Sequence, residues 1–329
     1  MQSVRFGILR VRCRSVVSEF RYPRSDTLPI PIPKMHIFLP ALPSPRAALK
    51  FGAVVLLGLL PVALSAQSIP PASLDAAALV RRAVQHRLDA ARNHAPSRYL
   101  LRRTDERHDT VKIIIETKDG DVARLIASNG KPLSPDADKA ELDRLDDLAQ
   151  HPELQEKRRK SEQKDADRVT HLLGLLPDAF LYRMEGTVPC GADQCYRLSF
   201  TPNPNFTPPD LEANVFRGAA GEIWIDQAQE RMTRLDAHFI ADVDFGFGIL
   251  GRINKGGTAL IEQTDVGGHD WELTGMNIHV NGKALLVRSF GFHVNQQAGH
   301  YSPVPPTLGY RDAIQMLKKV DPSETPYTP

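Results

Sequence analysis

Cysteine is nearly absent, with three in 329 residues. None stands in a CxxC pair, so neither a thioredoxin-type redox motif nor a cysteine-rich zinc module is encoded. The ten histidines beyond residue 66 are scattered, with no HExxH and no HxH pairing, and no GxSxG elbow occurs. Zinc-hydrolase and α/β-hydrolase chemistry therefore lack their usual signatures. No apolar run reaches the roughly 20 residues that span a bilayer as a helix. Neither an internal repeat nor a Pro/Gly/Ser linker divides the chain. An excess of one charge is missing too. The chain has 41 Lys+Arg against 39 Asp+Glu, of which nine and two lie in residues 1–66, leaving 32 against 37 and a net charge of −5. A mildly acidic body gives no electrostatic case for nucleic acid or an anionic membrane surface.

What is present is a 16-residue apolar run, Phe51 to Ala66. Arg46 and Lys50 precede it, and Ala63, Ser65 and Ala66 close it. A positive segment, a short apolar core and small terminal residues make a secretory signal peptide. Pro61 suits the end of such a core better than the middle of a membrane helix. Met35 lies eleven residues before Arg46, so residues 35–66 read as the signal peptide. Residues 1–34 then read as a mis-assigned start or a disordered extension. Residues 67–329 are expected to form a single domain, long enough to fill one core. The expected location is the periplasm of a Gram-negative-type bacterium, after export across the inner membrane. Cys13 falls in the leader. Cys190 and Cys195 remain, flanking a short turn between strand-like runs, and in an oxidising compartment a disulfide pinning that hairpin is expected.

Along residues 67–329, apolar residues recur at helical spacing in Leu79, Val80, Ala83, Val84, Leu88 and Ala91. Ser73 is the expected N-cap, with Asp75 in the first turn. Val111–Glu116 and Val122–Ala127 read as a hairpin through Lys118-Asp119-Gly120. Residues 134–175 interrupt this β pattern as a helical insertion. Ser134-Pro135 opens an acidic helix, and a second helix after His151-Pro152 carries Lys157-Arg158-Arg159-Lys160, expected to be a solvated face. From Phe180 onward short strands dominate: Gly221–Asp226, Met232–Ile240, Thr258–Thr264, Trp271–Val280 and Lys283–Val294. Asn281-Gly282 is the expected turn between the last two. A short helix, Leu308–Lys319, ends the series. The fold class is α+β, mostly antiparallel β.

Trp224-Ile225-Asp226 followed by Thr233-Arg234-Leu235, with Tyr196–Phe200 and Pro202 just before them, resembles a strand series that recurs in the periplasmic outer-membrane lipoprotein carrier superfamily (LolA/LolB-like). The resemblance covers residues 73–294. It implies a curved sheet or incomplete β-barrel covered by helices over an apolar cavity, and binding of a lipid or acyl chain. Some members act as envelope-stress sensors. The alternative is therefore an envelope protein-interaction module that docks a partner through residues 134–175.

Gly246-Phe247-Gly248-Ile249-Leu250-Gly251 spells GxGxxG. A dinucleotide site needs that motif between a parallel strand and a helix, and here strand-like runs lie on both sides. It reads as a glycine-rich turn with an apolar tip. Phe245, Phe247, Ile249 and Leu250, with Trp224, are the candidate ligand-binding residues. Asp242 and Asp244 share one strand face as a possible metal or acid/base pair, without a third ligand nearby in sequence. A hydrolase built on them is the third reading. The leading expectation is a non-catalytic binding protein with no cofactor, no metal site and no stable membrane span after signal cleavage.

Overall fold

The computed structural model describes residues 75–246, 251–267, 270–284 and 288–324. The expected signal segment, Ser73, and Phe247, Ile249 and Leu250 lie outside the described residues. Chain contacts divide between Gln67 and Ser68, and everything below belongs to the unit Ser68–Pro329.

Asp75, rather than the expected Ser73, caps α1 (Ala76–Arg92). Its carboxylate accepts from the Ala77 and Ala78 amides at 3.0 and 3.2 Å, satisfying two of the amides that a helix start leaves unpaired. The face anticipated from its spacing is buried at Leu79, Val80, Ala83 and Val84. Ser134 caps α2 (Pro135–Gln150), and α3 (Pro152–Ala179) follows immediately after His151. Near the C-terminus, α4 (Tyr310–Lys318) buries Tyr310, Ala313, Ile314 and Leu317.

The strands follow in chain order. They are β1 (Ser97–Asp105), β2 (Asp109–Ile115), β3 (Val122–Ser128), β4 (Lys131–Pro132), β5 (Phe180–Cys190) and β6 (Asp193–Pro202). After a 3₁₀ turn, Glu212–Arg217, come β7 (Ala219–Asp226), β8 (Met232–Phe239), β9 (Val243–Phe245) and β10 (Gly251–Ile253). The last three are β11 (Thr258–Asp265), β12 (Trp271–Ala284) and β13 (Arg288–Pro303). All belong to one open sheet in the order β4-β3-β2-β1-β13-β12-β11-β8-β7-β6-β5, with the β9–β10 hairpin attached to β12. The pairings given by register are antiparallel throughout. The sheet is mostly a meander, as expected, except that β1 pairs with β13 and so joins the first hairpin to the last.

Asn281-Gly282 is not a turn. β12 runs through it to Ala284, and Ile253 of β10 pairs with Gly282. A side chain at Gly282 would meet the Arg252 carbonyl at 2.1 Å and the Phe290 ring at 2.6 Å. The glycine is thus required by a close approach of strand and ring, not by a left-handed turn. The Cys190–Cys195 disulfide forms as expected, with its Cα atoms 5.8 Å apart. Closing so small a loop contributes about 2 kcal/mol in the chain-entropy model. Reduction is therefore expected to lower the denaturation midpoint modestly in an equilibrium unfolding curve, without unfolding the chain at room temperature.

The sheet buries opposite faces at its two ends. Along β5–β8 one face carries Leu198, Phe200, Ile223, Ile225 and Met232, which pack with α1 and the C-terminal part of α3. We call this the inner face. Along β1–β3 the opposite, outer face carries Leu100, Val111, Ile113, Ile115, Val122 and Ile126, which pack with α2 and α4. Helix α3 touches the inner side at both ends. Its Gln155 donates to the Asp119 and Asp121 carbonyls at 3.0 and 3.3 Å, while Leu172, Leu173, Leu175 and Leu176 pack into the far core. From β3 to β5 the sheet is nine strand gaps wide, roughly 43 Å along its surface. The helix covers the step from Arg158 to Leu172 in roughly 21 Å. Only a strongly curled sheet lets α3 reach both ends, so α3 spans the mouth of an incomplete barrel.

Candidate functional site

The middle of the sheet is where residue chemistry and cover disagree. In β11–β13, alternation places Ala259, Ile261, Met276, Ile278, Val280, Phe290, Phe292 and Val294 on the inner face. Asn277, His279, Asn281, His293 and Asn295 take the outer one. The two helix-covered cores lie at the ends of the sheet, leaving these apolar side chains mostly half-buried. Phe290 and Phe292 remain 39% and 44% exposed. Above them, residues Gln163 to His171 of α3 are exposed without interruption. A helix that presents no buried face for two turns bridges solvent. Its ties there run to the neighbouring loop, Arg168 to Glu212 at 3.0 Å and His171 to Asp210 at 2.6 Å. The arrangement is an apolar trough with a helix across it.

One row of directly opposed residues crosses the trough. It runs Thr110, Arg103, Gln296, Met276, Ile261, Leu235, Ile223, Leu198, passing from polar to apolar. At the polar end, under α3, lies a cavity of about 220 Å³ lined by Tyr99, Leu101, Arg103, Thr110, Lys112, Ile114, Asp121, Ala123, Arg158, Glu162 and Gln296. Every sheet residue in that lining lies on the inner face. Burial pulls the Lys112 amine below its ordinary range, with Glu141 opposing and Arg144, Arg103 and Arg158 adding to the depression. Burial likewise lowers the Arg158 guanidinium. Asp121 is pushed up to about 7, first by burial and then by Glu162 and Glu116. A hollow of about 560 Å³ on the other side of α3 is lined by Glu153, Glu156, Lys157, Lys160, Ser161 and Lys164 alone. One helix face without a second wall holds no ligand.

Of the anticipated site residues, Phe245 lies on the inner face and packs against the β5–β8 core. Phe247, Ile249 and Leu250 lie outside the described residues, in the connection between β9 and β10. Trp224 lies on the outer face, its ring beneath the Arg234 guanidinium at 5.3 Å and its Nε1 donating to Glu222 at 3.4 Å. Asp242 and Asp244 are both held by Arg252, at 3.4 and 2.6 Å, an exposed ion-paired cluster and not a free acid/base pair. Cys190, Cys195 and Asp226 gather potential ligand atoms within 4.8 Å. The two sulfurs are bonded to each other, and Asp226 accepts from the Ala228 and Gln229 amides. Lys112 and Arg103, which sequence reading did not single out, and Arg158, expected on a solvated face, are brought together by strand register and helix phase.

No protein-family model matches the chain, and no curated protein matches it. Among solved structures it is similar to a LolA superfamily protein from Nitrosomonas europaea. The TM-score is 0.26 at 8% identity, covering 71% of this chain and 95% of that one. It is also similar to a DUF1329 family protein from Desulfovibrio piger, with TM-score 0.23 and 10% identity over 70% of this chain and 93% of that one. At these TM-scores neither similarity carries an argument about what this chain binds, which rests on the trough itself. Among the described residues no helix is long and apolar enough to cross a membrane.

Proposed function

We propose that this chain binds a lipid or other acylated ligand without chemical conversion, in the periplasm, with the acyl chain lying along the inner face of β11–β13 beneath α3. The observation that carries this reading is the apolar inner face at the centre of the sheet, where Val280 reaches the β5–β8 core and Val294 is buried but the remaining apolar side chains stay half-buried or exposed while α3 spans them. Folding normally buries such a surface, and contiguous exposed apolar patches mark binding sites. Each methylene buried there contributes about 0.8 kcal/mol, enough for firm binding with little polar recognition. Phe245 borders the trough on the same face, and Phe247, Ile249 and Leu250 remain candidate ligand contacts by sequence alone. Trp224, on the outer face, takes no part. The signal-like segment at residues 51–66 and the Cys190–Cys195 disulfide support an exported location.

Native mass spectrometry of residues 67–329 purified from a bacterial periplasm tests the reading. The expected result is a mass excess that extracts as lipid. A bare mass with no uptake of a fluorescent acyl probe overturns it in favour of the interaction module. Phe292→Asp is expected to weaken probe binding at least tenfold, about 1.4 kcal/mol. Because Phe292 is exposed, the same variant should leave the thermal midpoint nearly unchanged. Equal affinities in variant and wild type would move the ligand off this face.

A further inference from the structure

Three cations, Lys112, Arg103 and Arg158, converge on the polar end of the trough, and none of them forms an ion pair among the described residues. Among the described residues, neither the Lys112 amine nor the Arg103 guanidinium makes an ion pair or hydrogen bond, and Arg158 reaches only the Asp121 carbonyl, at 3.5 Å. Two carboxyls share the cavity, Asp121, whose ionisation burial opposes, and Glu162, which attracts Arg158 without forming an ion pair with it. Glu141 accepts from Arg144 at 2.7 Å and from the Leu125 amide at 2.8 Å. Glu162 accepts from the Asp121 amide at 3.1 Å. Lys112 and Arg158 are half-buried while Arg103 beside them is exposed, and a half-buried cation without an ion pair is costly unless an anion joins it. The depressed Lys112 and Arg158 reflect that cost.

The same inner face that carries these cations continues without a break into the apolar strip. Arg103 is opposed to Gln296, Gln296 to Met276, and Met276 to Ile261. From β2 to β11 is four strand gaps, roughly 19 Å, a distance on the scale of an extended acyl chain. An occupant matched to this surface carries negative charge at one end and hydrocarbon along the rest. We propose that the ligand is an anionic acyl lipid, whose carboxylate or phosphodiester headgroup sits in the cavity against Lys112, Arg103 and Arg158 while its chain crosses β13, β12 and β11. Two guanidinium groups and an ammonium suit a planar or tetrahedral oxyanion. This rests on the acyl-binding reading above and adds headgroup selectivity and direction: head under the N-terminal half of α3, tail toward the β5–β8 core.

Dansylaminoundecanoic acid and its methyl ester share one chain and differ in the charge, so titrating both separates the two claims. Ester binding reports the trough, and the preference for the acid reports the cationic cavity. The expected result is an acid preference of about tenfold or more. Lys112→Met and Arg103→Gln should remove that preference while leaving ester affinity unchanged. Arg103 is exposed, so its variant folds normally, and intact ester binding certifies the Lys112 variant. Acid and ester bound equally by the wild type, or both weakened alike by the variants, would overturn the headgroup assignment and leave the acyl site standing. Binding of neither probe would overturn the acyl site and the headgroup assignment with it. Displacement of the acid by micromolar inorganic phosphate would make the cavity a free-anion site, which also overturns the lipid assignment.

Discussion

Arg124→Met is expected to destabilise the protein by about 3 kcal/mol, the range for removing one partner of a buried charged network. Arg124 is 1% exposed at the centre of β3. Its Nη1 donates to the Leu317 and Val320 carbonyls at 2.6 and 2.7 Å, and its Nη2 to Asp138 at 2.7 Å. The guanidinium thus serves the carbonyl end of α4, where a cation is favoured by the helix dipole, and ties α4 to α2. Methionine fills much of the volume but leaves two carbonyls and a carboxylate without their donor. For a chain of this size the midpoint should fall by roughly 6–12 °C. The β1–β3 end should lose protection first, so limited proteolysis ought to release the C-terminal segment before the sheet is cut. A midpoint within about 2 °C of wild type would show that water replaces the guanidinium at little cost.

Arg124 also shows where sequence reading stops. In Val122–Ala127 the strand is legible from its β-branched and apolar residues, yet the positions packed beneath α2 and α4 on the outer face are Val122, Arg124 and Ile126. Nothing local marks the charged one as buried. It is inside because α2 and α4, from 14 and nearly 200 residues away, supply its acceptors. The hairpins, the helical insertion and the disulfide are legible for the opposite reason, since each depends on residues close in sequence. Asn281-Gly282 misleads because β10 and Phe290 press on Gly282 from segments that no local pattern contains. The alternation of Met276, Ile278 and Val280, and of Phe290, Phe292 and Val294, is plain in the sequence. What is not plain is that the helices cover other parts of the sheet and leave this face open. Within Lys157–Lys160, Arg159 and Lys160 do pair with Glu156 on the wet side of α3. Arg158, one helical step away, turns into the cavity. A motif reads four basic residues as one face, whereas a helix distributes them around its axis.

Asp121 should make stability fall as pH rises from about 4 to about 7, and Asp121→Asn should remove that contribution. Asp121 lies under α3 with Glu162 and Glu116 opposing its ionisation, while Arg158 and His94 favour it less strongly. Its carboxyl is pushed up to about 7 from an ordinary 3.8. Between those values the folded chain keeps a proton that the unfolded chain has released, so the folded state binds more protons and loses stability with increasing pH. The contribution is fully present below about pH 4 and is lost as the pH passes about 7, with a total on the order of 4 kcal/mol. Asparagine keeps the size and removes the charge. The variant should therefore match the wild type near pH 4, gain on it through neutrality, and hold a constant advantage of about 2–4 kcal/mol above about pH 8. Urea midpoints measured across that range decide the matter, because groups that do not sense Asp121 are common to both proteins and cancel, leaving Asp121 with its coupled neighbours Glu162, Glu116, Arg158 and His94. Parallel curves would mean that water reaches Asp121 and hydrates its carboxylate in the folded state. A widening gap would mean that the cavity floor is dry, as a site prepared for a lipid headgroup requires.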